Sequence, residues 1–147
     1  MIKRANNKKK KGFTLIELII VLAVMAIIAL IAIPNFAAVR NNSKNKADDQ
    51  SRATIERTVL MLVSDETVKG DGTVTLKFDA NGKLDKTNTT IADSIKDSKD
   101  IITEALKEVK APQGKVKGTE TKATTYEITI STDGSVEVVT GAVKAEE

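Results

Sequence analysis

From position 18 to position 33 no residue carries a polar side chain, and six basic residues and a single carboxylate stand just in front of that run. A helix of this composition has no polar face, so it does not pack as an ordinary surface helix of a globular domain. With residues 13–17 included, the apolar segment has only Thr14 and Glu17 as polar positions. At about 1.5 Å rise per residue, its length matches a hydrocarbon core of about 30 Å. Lys8, Lys9, Lys10 and Lys11 cannot enter a bilayer, and this basic flank predicts a cytoplasmic N-terminus. A cleaved secretory signal has a shorter apolar region that ends in a small-residue site. The run here is longer, and Pro34-Asn35-Phe36-Ala37-Ala38 fits such a site poorly.

The chain has 147 residues, room for one domain and an appendage. Cys is absent, which excludes a disulfide framework, thiolate chemistry and an acylated lipoprotein anchor. His is absent too, and with it the commonest metal ligand and general base. No constellation of residues supports an enzyme, and no cofactor is expected. The formal net charge of +3 misleads, because residues 1–12 hold six basic side chains and no acidic one. Residues 13–147 hold 17 basic against 20 acidic side chains. The body has neither a basic stripe nor interleaved aromatics, so nucleic-acid binding is not predicted.

Pro34 follows the apolar run, where it removes one helical hydrogen bond and crowds the preceding turn. Helix-compatible sequence resumes after it, so the expectation is a kink and not a stop. Ala47, Ser51, Ile55, Val59 and Leu62 then recur at close to helical spacing, which places them on one face. One long helix is therefore expected over 13–64. Its segment 13–33 is apolar all round, and its second half is amphipathic. The second half needs a folded body against its stripe; the first needs lipid or other copies of itself.

Gly12-Phe13-Thr14-Leu15-Ile16-Glu17 behind a short lysine-rich leader, followed by an apolar helix interrupted at Pro34, resembles a type IV pilin precursor. The motif covers about residues 8–36, and the architecture behind it is similar over the rest of the chain. The resemblance implies cleavage between Gly12 and Phe13 by a membrane-embedded prepilin peptidase, with methylation of the new Phe13 amine. It implies that Glu17 meets the Phe13 amine of a neighbouring subunit during assembly. It also implies that the apolar helices leave the membrane to form a filament core, driven by an assembly ATPase and a membrane platform protein. The precursor would sit in the cytoplasmic membrane as a single-pass protein and end on the cell surface. The physics is compatible: a carboxylate at the centre of a membrane helix costs about 2.5 kcal/mol or more, and less near its end. An ammonium partner in a dry bundle offsets that cost and sets axial register. A plainer role for Glu17 is to close a capping box with Thr14 in a T-x-x-E pattern, and the two roles suit different stages.

Residues 65–147 are expected to form a small head, giving an α+β protein of type IV pilin-like design. Val74, Leu76 and Phe78 alternate with polar residues as in a half-buried strand, and Asn81-Gly82 signals a tight turn. Residues 86–90 read as polar loop. Ile91, Ile95, Ile102, Leu106 and Val109 predict one helix, or two short ones with a break near Ser98, ended by Pro112 and Gly114. Tyr126, Ile128 and Ile130, then Asp133-Gly134, then Val136 and Val138 predict a hairpin. A three- or four-stranded antiparallel sheet on the stripe of the long helix follows. The absence of Cys resembles pilins of Gram-positive bacteria more than those that staple the head with a disulfide.

Other motifs weigh little. Asp79, Asn81 and Asp85 offer oxygen ligands for calcium but do not complete an EF-hand loop, and a plain turn is the stronger reading. Asn41-Asn42-Ser43 and Asn88-Thr89-Thr90 match the glycosylation pattern, a frequent chance match. Lys115, Lys117 and Lys122 form a loose basic patch that reads as a solvated face. The leading expectation is a structural subunit of a type IV pilus serving adhesion, twitching motility or biofilm formation. The alternatives are a pseudopilin of a secretion or DNA-uptake machine, and a single-pass membrane protein with an extracellular binding domain.

Overall fold

The computed structural model describes residues 12–142, with residues 33–35 in backbone only. Of the expected leader 1–12, residues 1–11 lie outside the described residues, as do 143–147 of the head. Contacts divide the chain at Val39–Arg40 into two compact units.

Helix α1 spans Leu15–Ser64 and passes through Pro34 without a break in assignment. Thr14 precedes its first turn and Glu17 sits within it, a capping-box arrangement that satisfies donors the helix cannot use internally. The C-terminus closes as a Schellman motif. Glu66 N–H donates to Val63 O at 3.0 Å and Thr67 N–H to Leu62 O at 3.0 Å. That geometry needs a left-handed residue, and Glu66 supplies it at φ 54°, at the conformational cost a glycine would avoid. In the first unit the apolar side chains from Leu15 to Ile31 are exposed.

The second unit is built on α1 from Arg40 onward. Strand β1 spans Gly72–Leu76, β2 Thr90–Ile91, β3 Thr125–Ile130 and β4 Val136–Gly141, in the order β2-β1-β3-β4. All pairings are antiparallel: Val74 faces Ile91 and Ile128, and Ile128 faces Val138. A 3-10 helix, Asp93–Ser98, leads into α2, Lys99–Ala105. Alternate residues of β1 and β3 (Val74, Leu76, Tyr126, Ile128 and Ile130) point inward against Ile55 and Val59 of α1. Ile95, Ile102 and Leu106 close the same core. An apolar α1 segment joined to a small sheet head, with the amphipathic half of α1 on that sheet, is a type IV pilin-like α+β fold.

Several local expectations change. Residues 90–91 are an edge strand and not loop and helix start, because Ile91 is drawn into register opposite Val74. A two-residue strand has no alternation for a sequence reading to detect. The helical stretch behind it takes the second of the two expected forms, two short pieces meeting at Ser98, and ends at Ala105. The stripe on α1 begins one residue later than Ala47: Ala47 is exposed and Asp48 is buried. A strict four-residue step overshoots a 3.6-residue turn, so a stripe through Ile55 and Val59 drifts onto position 48 when followed backward.

Candidate functional site

Phe13 lies in front of α1 and is 85% exposed. A Cβ built at Gly12 meets nothing within 4 Å among the described residues. Four residues beyond Phe13, Glu17 lies in the first turn of α1. Its amide donates to Thr14 Oγ1 at 3.3 Å, and the Thr14 amide points back to Glu17 Oε2 at 3.5 Å. The carboxylate therefore occupies the end of the helix that favours negative charge. It does so at the head of an 18-residue window, Leu15–Ala32, long and apolar enough to cross a membrane and with none of it buried. The first turn thus holds the segment's lone carboxylate by one local hydrogen bond, from the Thr14 amide, at the long limit for such a bond.

The head presents turns and anchors. Asp79 Oδ1 accepts from the amides of Asn81 at 2.8 Å and Lys83 at 2.9 Å, and Asp85 Oδ1 from Thr87 and Asn88, both at 3.0 Å. These hydrogen bonds use the carboxylates to hold turns, and the Asn88 amide draws the Asp85 pKa below its ordinary value. Asp133 is lowered likewise by the Ser135 side chain and amide. Among the described residues no group of three or more acidic, His or Cys side chains is placed to hold a metal ion. On the surface, Glu104 lies between Lys107 at 2.7 Å and Lys86 at 2.5 Å, and their hydrogen bonds and charge pull its pKa down to about 2.

Sequence reasoning missed the polar contacts that join α1 to the 112–115 loop. Asp48 is 4% exposed and accepts from the amides of Gln113 at 2.8 Å and Gly114 at 2.7 Å. Asn45 Oδ1 accepts from Lys115 at 3.2 Å. A carboxylate on the inward face of an amphipathic helix was the available signal. Arg52 adds a bond to Val138 O at 3.3 Å, tying α1 to β4. Beside them Tyr126 is fully buried; among the described residues its hydroxyl makes no hydrogen bond of ordinary geometry, and the Ser51 side chain is the polar group that acts on it.

Residues 7–33 match the prokaryotic N-terminal methylation motif. Over 76 residues the chain is 40% identical to "Prepilin peptidase-dependent protein A" of Clostridium perfringens (strain 13 / Type A). That alignment covers 52% of this chain and 54% of the relative, so the chain spans about half the length of the curated relative it matches. No solved structure gives a significant match. The motif places Gly12, Phe13 and Glu17 together in the matched segment, directly ahead of the exposed apolar helix. Residues 7–33 thus form a prepilin-type N-terminus suited to membrane anchoring, similar to that of a type IV pilin precursor, and the chain behind them has an α+β fold of type IV pilin-like design.

Proposed function

We propose that the chain is a non-enzymatic structural subunit of a type IV pilus. A prepilin peptidase cuts between Gly12 and Phe13, the new Phe13 amine is methylated, and the processed chain polymerises through residues 13–33. The observation that carries this reading is the run Leu15–Ala32, unburied along its whole length and headed by one carboxylate inside a methylation motif. The relative is named for its dependence on a prepilin peptidase, which supports the same processing here.

Exposed to water, that run leaves a large apolar surface that only lipid or like helices remove. In lipid the precursor is a single-pass protein held by its basic leader, N-terminus in the cytoplasm. In a bundle of sister helices the Glu17 carboxylate exchanges its long bond from the Thr14 amide for the ammonium of a neighbouring Phe13. Pro34 supplies the point at which the helix bends or loosens as subunits pack. Extraction from the bilayer needs work, so an assembly ATPase and a membrane platform protein are the expected partners. The product is a homopolymeric surface filament for adhesion, twitching motility or biofilm formation.

A short pseudopilus of a secretion or DNA-uptake machine uses the same N-terminus and is the second reading, since the motif and the relative's name fit both. Shearing cells and imaging the released material separates them: long fibres containing this chain support the pilus. Processed chain that stays with the envelope and forms no long fibres supports the pseudopilus. Chain that remains uncut supports a plain single-pass membrane protein and contradicts both.

A further inference from the structure

The second unit is electrically polar along α1. Where α1 enters it, residues 40–48, 79–83 and 110–124 gather at one end. Asp48 and Asn45 hold the amides of residues 113–115, and Lys44, Asp79, Gly82, Gln113 and Lys122 line one groove. These three stretches hold eight basic side chains against three carboxylates. One of those carboxylates, Asp48, is buried, and another, Glu120, is paired with Lys115. At the other end, where α1 stops, residues 63–72, 92–94 and 131–135 gather. Val63, Glu66, Asp71 and Ser131 line one groove, and Ser94 Oγ hydrogen-bonds the Asp71 carbonyl. These stretches hold five carboxylates against one lysine, Lys69, which pairs with Glu66 at 3.3 Å. Positions 44 and 63 are separated by about 28 Å of helix at 1.5 Å per residue. That is well beyond a Debye length of about 8 Å at physiological salt, so the two ends do not neutralise one another within one head.

We propose that the basic end of one head docks on the acidic end of a second copy of this chain. The contact joins two different patches, so it is heterologous and repeats without closing into a pair, the geometry of an open polar filament. Opposite fields guide each incoming head and penalise the inverted approach, in which like ends meet. Single exposed ion pairs contribute little, so the effect resides in the summed charge of each end and acts on assembly and register. The proposal rests on the filament reading for its setting, and the contact itself requires only that copies meet in the membrane or beyond it.

The test uses the full chain in cells that make and process it. Lys46, Lys117 and Lys122 are exposed at the basic end, and Asp65 and Asp71 at the acidic end. K46E/K117E/K122E should lower recovered polymer about tenfold, D65K/D71K should do the same, and the five changes together should recover most of it. Because the chain has no cysteine, K117C/D65C adds two unique thiols for a flexible bis-maleimide. A ladder of covalent multimers is expected, and each single-cysteine variant should give none. Normal polymer from both reversals, dimers from a single cysteine, or no ladder from processed and polymerised chain would overturn the contact while leaving the pilus reading intact. Loss on basic-end reversal alone, without rescue by the acidic changes, would assign that end to anionic lipid headgroups and overturn it too. A ladder in a strain that builds no long fibres would support the contact and count against the pilus.

Discussion

Asp48 and Gly114 meet at 2.7 Å, the carboxylate of a buried helical aspartate accepting the amide of a buried loop glycine. With the Gln113 amide at 2.8 Å, this fixes the loop after α2 to the face of α1 that also carries Ile55 and Val59. A Cβ at position 114 would run into Asn45 Oδ1 and lie 2.9 Å from Asp48 Oδ2, so a side chain there would displace the two groups that hold the loop. Asp48→Ala leaves two amides without their acceptor and should destabilise the head by about 2–4 kcal/mol. Asp48→Asn retains one acceptor oxygen and should cost about half as much. Thermal unfolding of detergent-solubilised full chain, followed by the near-UV signal of its single tyrosine, reads the difference. A change within about 0.5 kcal/mol for Asp48→Ala would contradict the anchoring role.

Tyr126 carries the second structural consequence. Burial pushes its phenol from 10.0 up to about 12, with the Ser51 side chain opposing. Unfolded tyrosine ionises first as pH rises, so the folded head holds the proton that the unfolded chain has lost. Stability is full below pH 10 and declines between about 10 and 12, by at most roughly 2 kcal/mol from this group. Tyr126→Phe removes a buried hydroxyl that makes no hydrogen bond of ordinary geometry among the described residues, although the Ser51 side chain acts on it. It should leave stability at neutral pH unchanged or raise it by about 1 kcal/mol, and should flatten the alkaline decline. Urea unfolding at a series of alkaline pH values tests this; an equally steep decline in the variant would show that other groups carry it.

Glu104 gives an acid-side counterpart. Hydrogen bonds from Lys107 and Lys86 lower its pKa from 4.5 to about 2. A depressed carboxylate contributes stability above its unfolded pKa and loses it as pH falls through the folded one, here from about 4.5 toward 2. The group is surface-exposed, so the readout is its own titration. Carboxyl-carbon NMR should place its midpoint well below ordinary glutamate, and Lys86→Ala with Lys107→Ala should return it toward 4.5. An ordinary midpoint in the unmodified chain would mean that the paired geometry is not kept in solution.

Glu17 separates helix capping from assembly. Replacing it with Gln keeps a capping-box side chain and removes the charge. Glu17→Gln and Glu17→Val should both be cut after Gly12, and both should reduce polymer by about tenfold or more if charge pairing sets the register. Polymer restored by Gln but not by Val, measured in sheared fractions, would assign the residue to capping alone.

The parts of this molecule visible in its sequence are those with a period or a motif. The apolar run, the T-x-x-E turn and the alternation at Tyr126, Ile128 and Ile130 each repeat a simple rule, and the helix, its cap and β3 appear where those rules place them. The parts not visible are set by partners distant in sequence. β2 is a strand because Ile91 finds Val74, and Asp48 is buried because amides 65 and 66 residues away reach it. Glu66 takes a left-handed conformation that its own identity disfavours, because the Schellman closure of α1 demands it. The roles proposed for Gly12, Phe13 and Glu17 lie in the chain's dealings with other molecules, so motif and chemistry speak to them more than packing does.

The most direct measurement is the intact mass and N-terminal sequence of the chain recovered from sheared cell surfaces, compared with a Gly12→Leu variant. A Cβ at position 12 meets nothing among the described residues, so the substitution is expected to leave the described fold alone and to test the proposed recognition by the peptidase. The unmodified chain is predicted to begin at a methylated Phe13 and the variant to remain full length in the membrane. An unmodified chain that keeps residues 1–12 and stays in the membrane as a single copy would contradict the account.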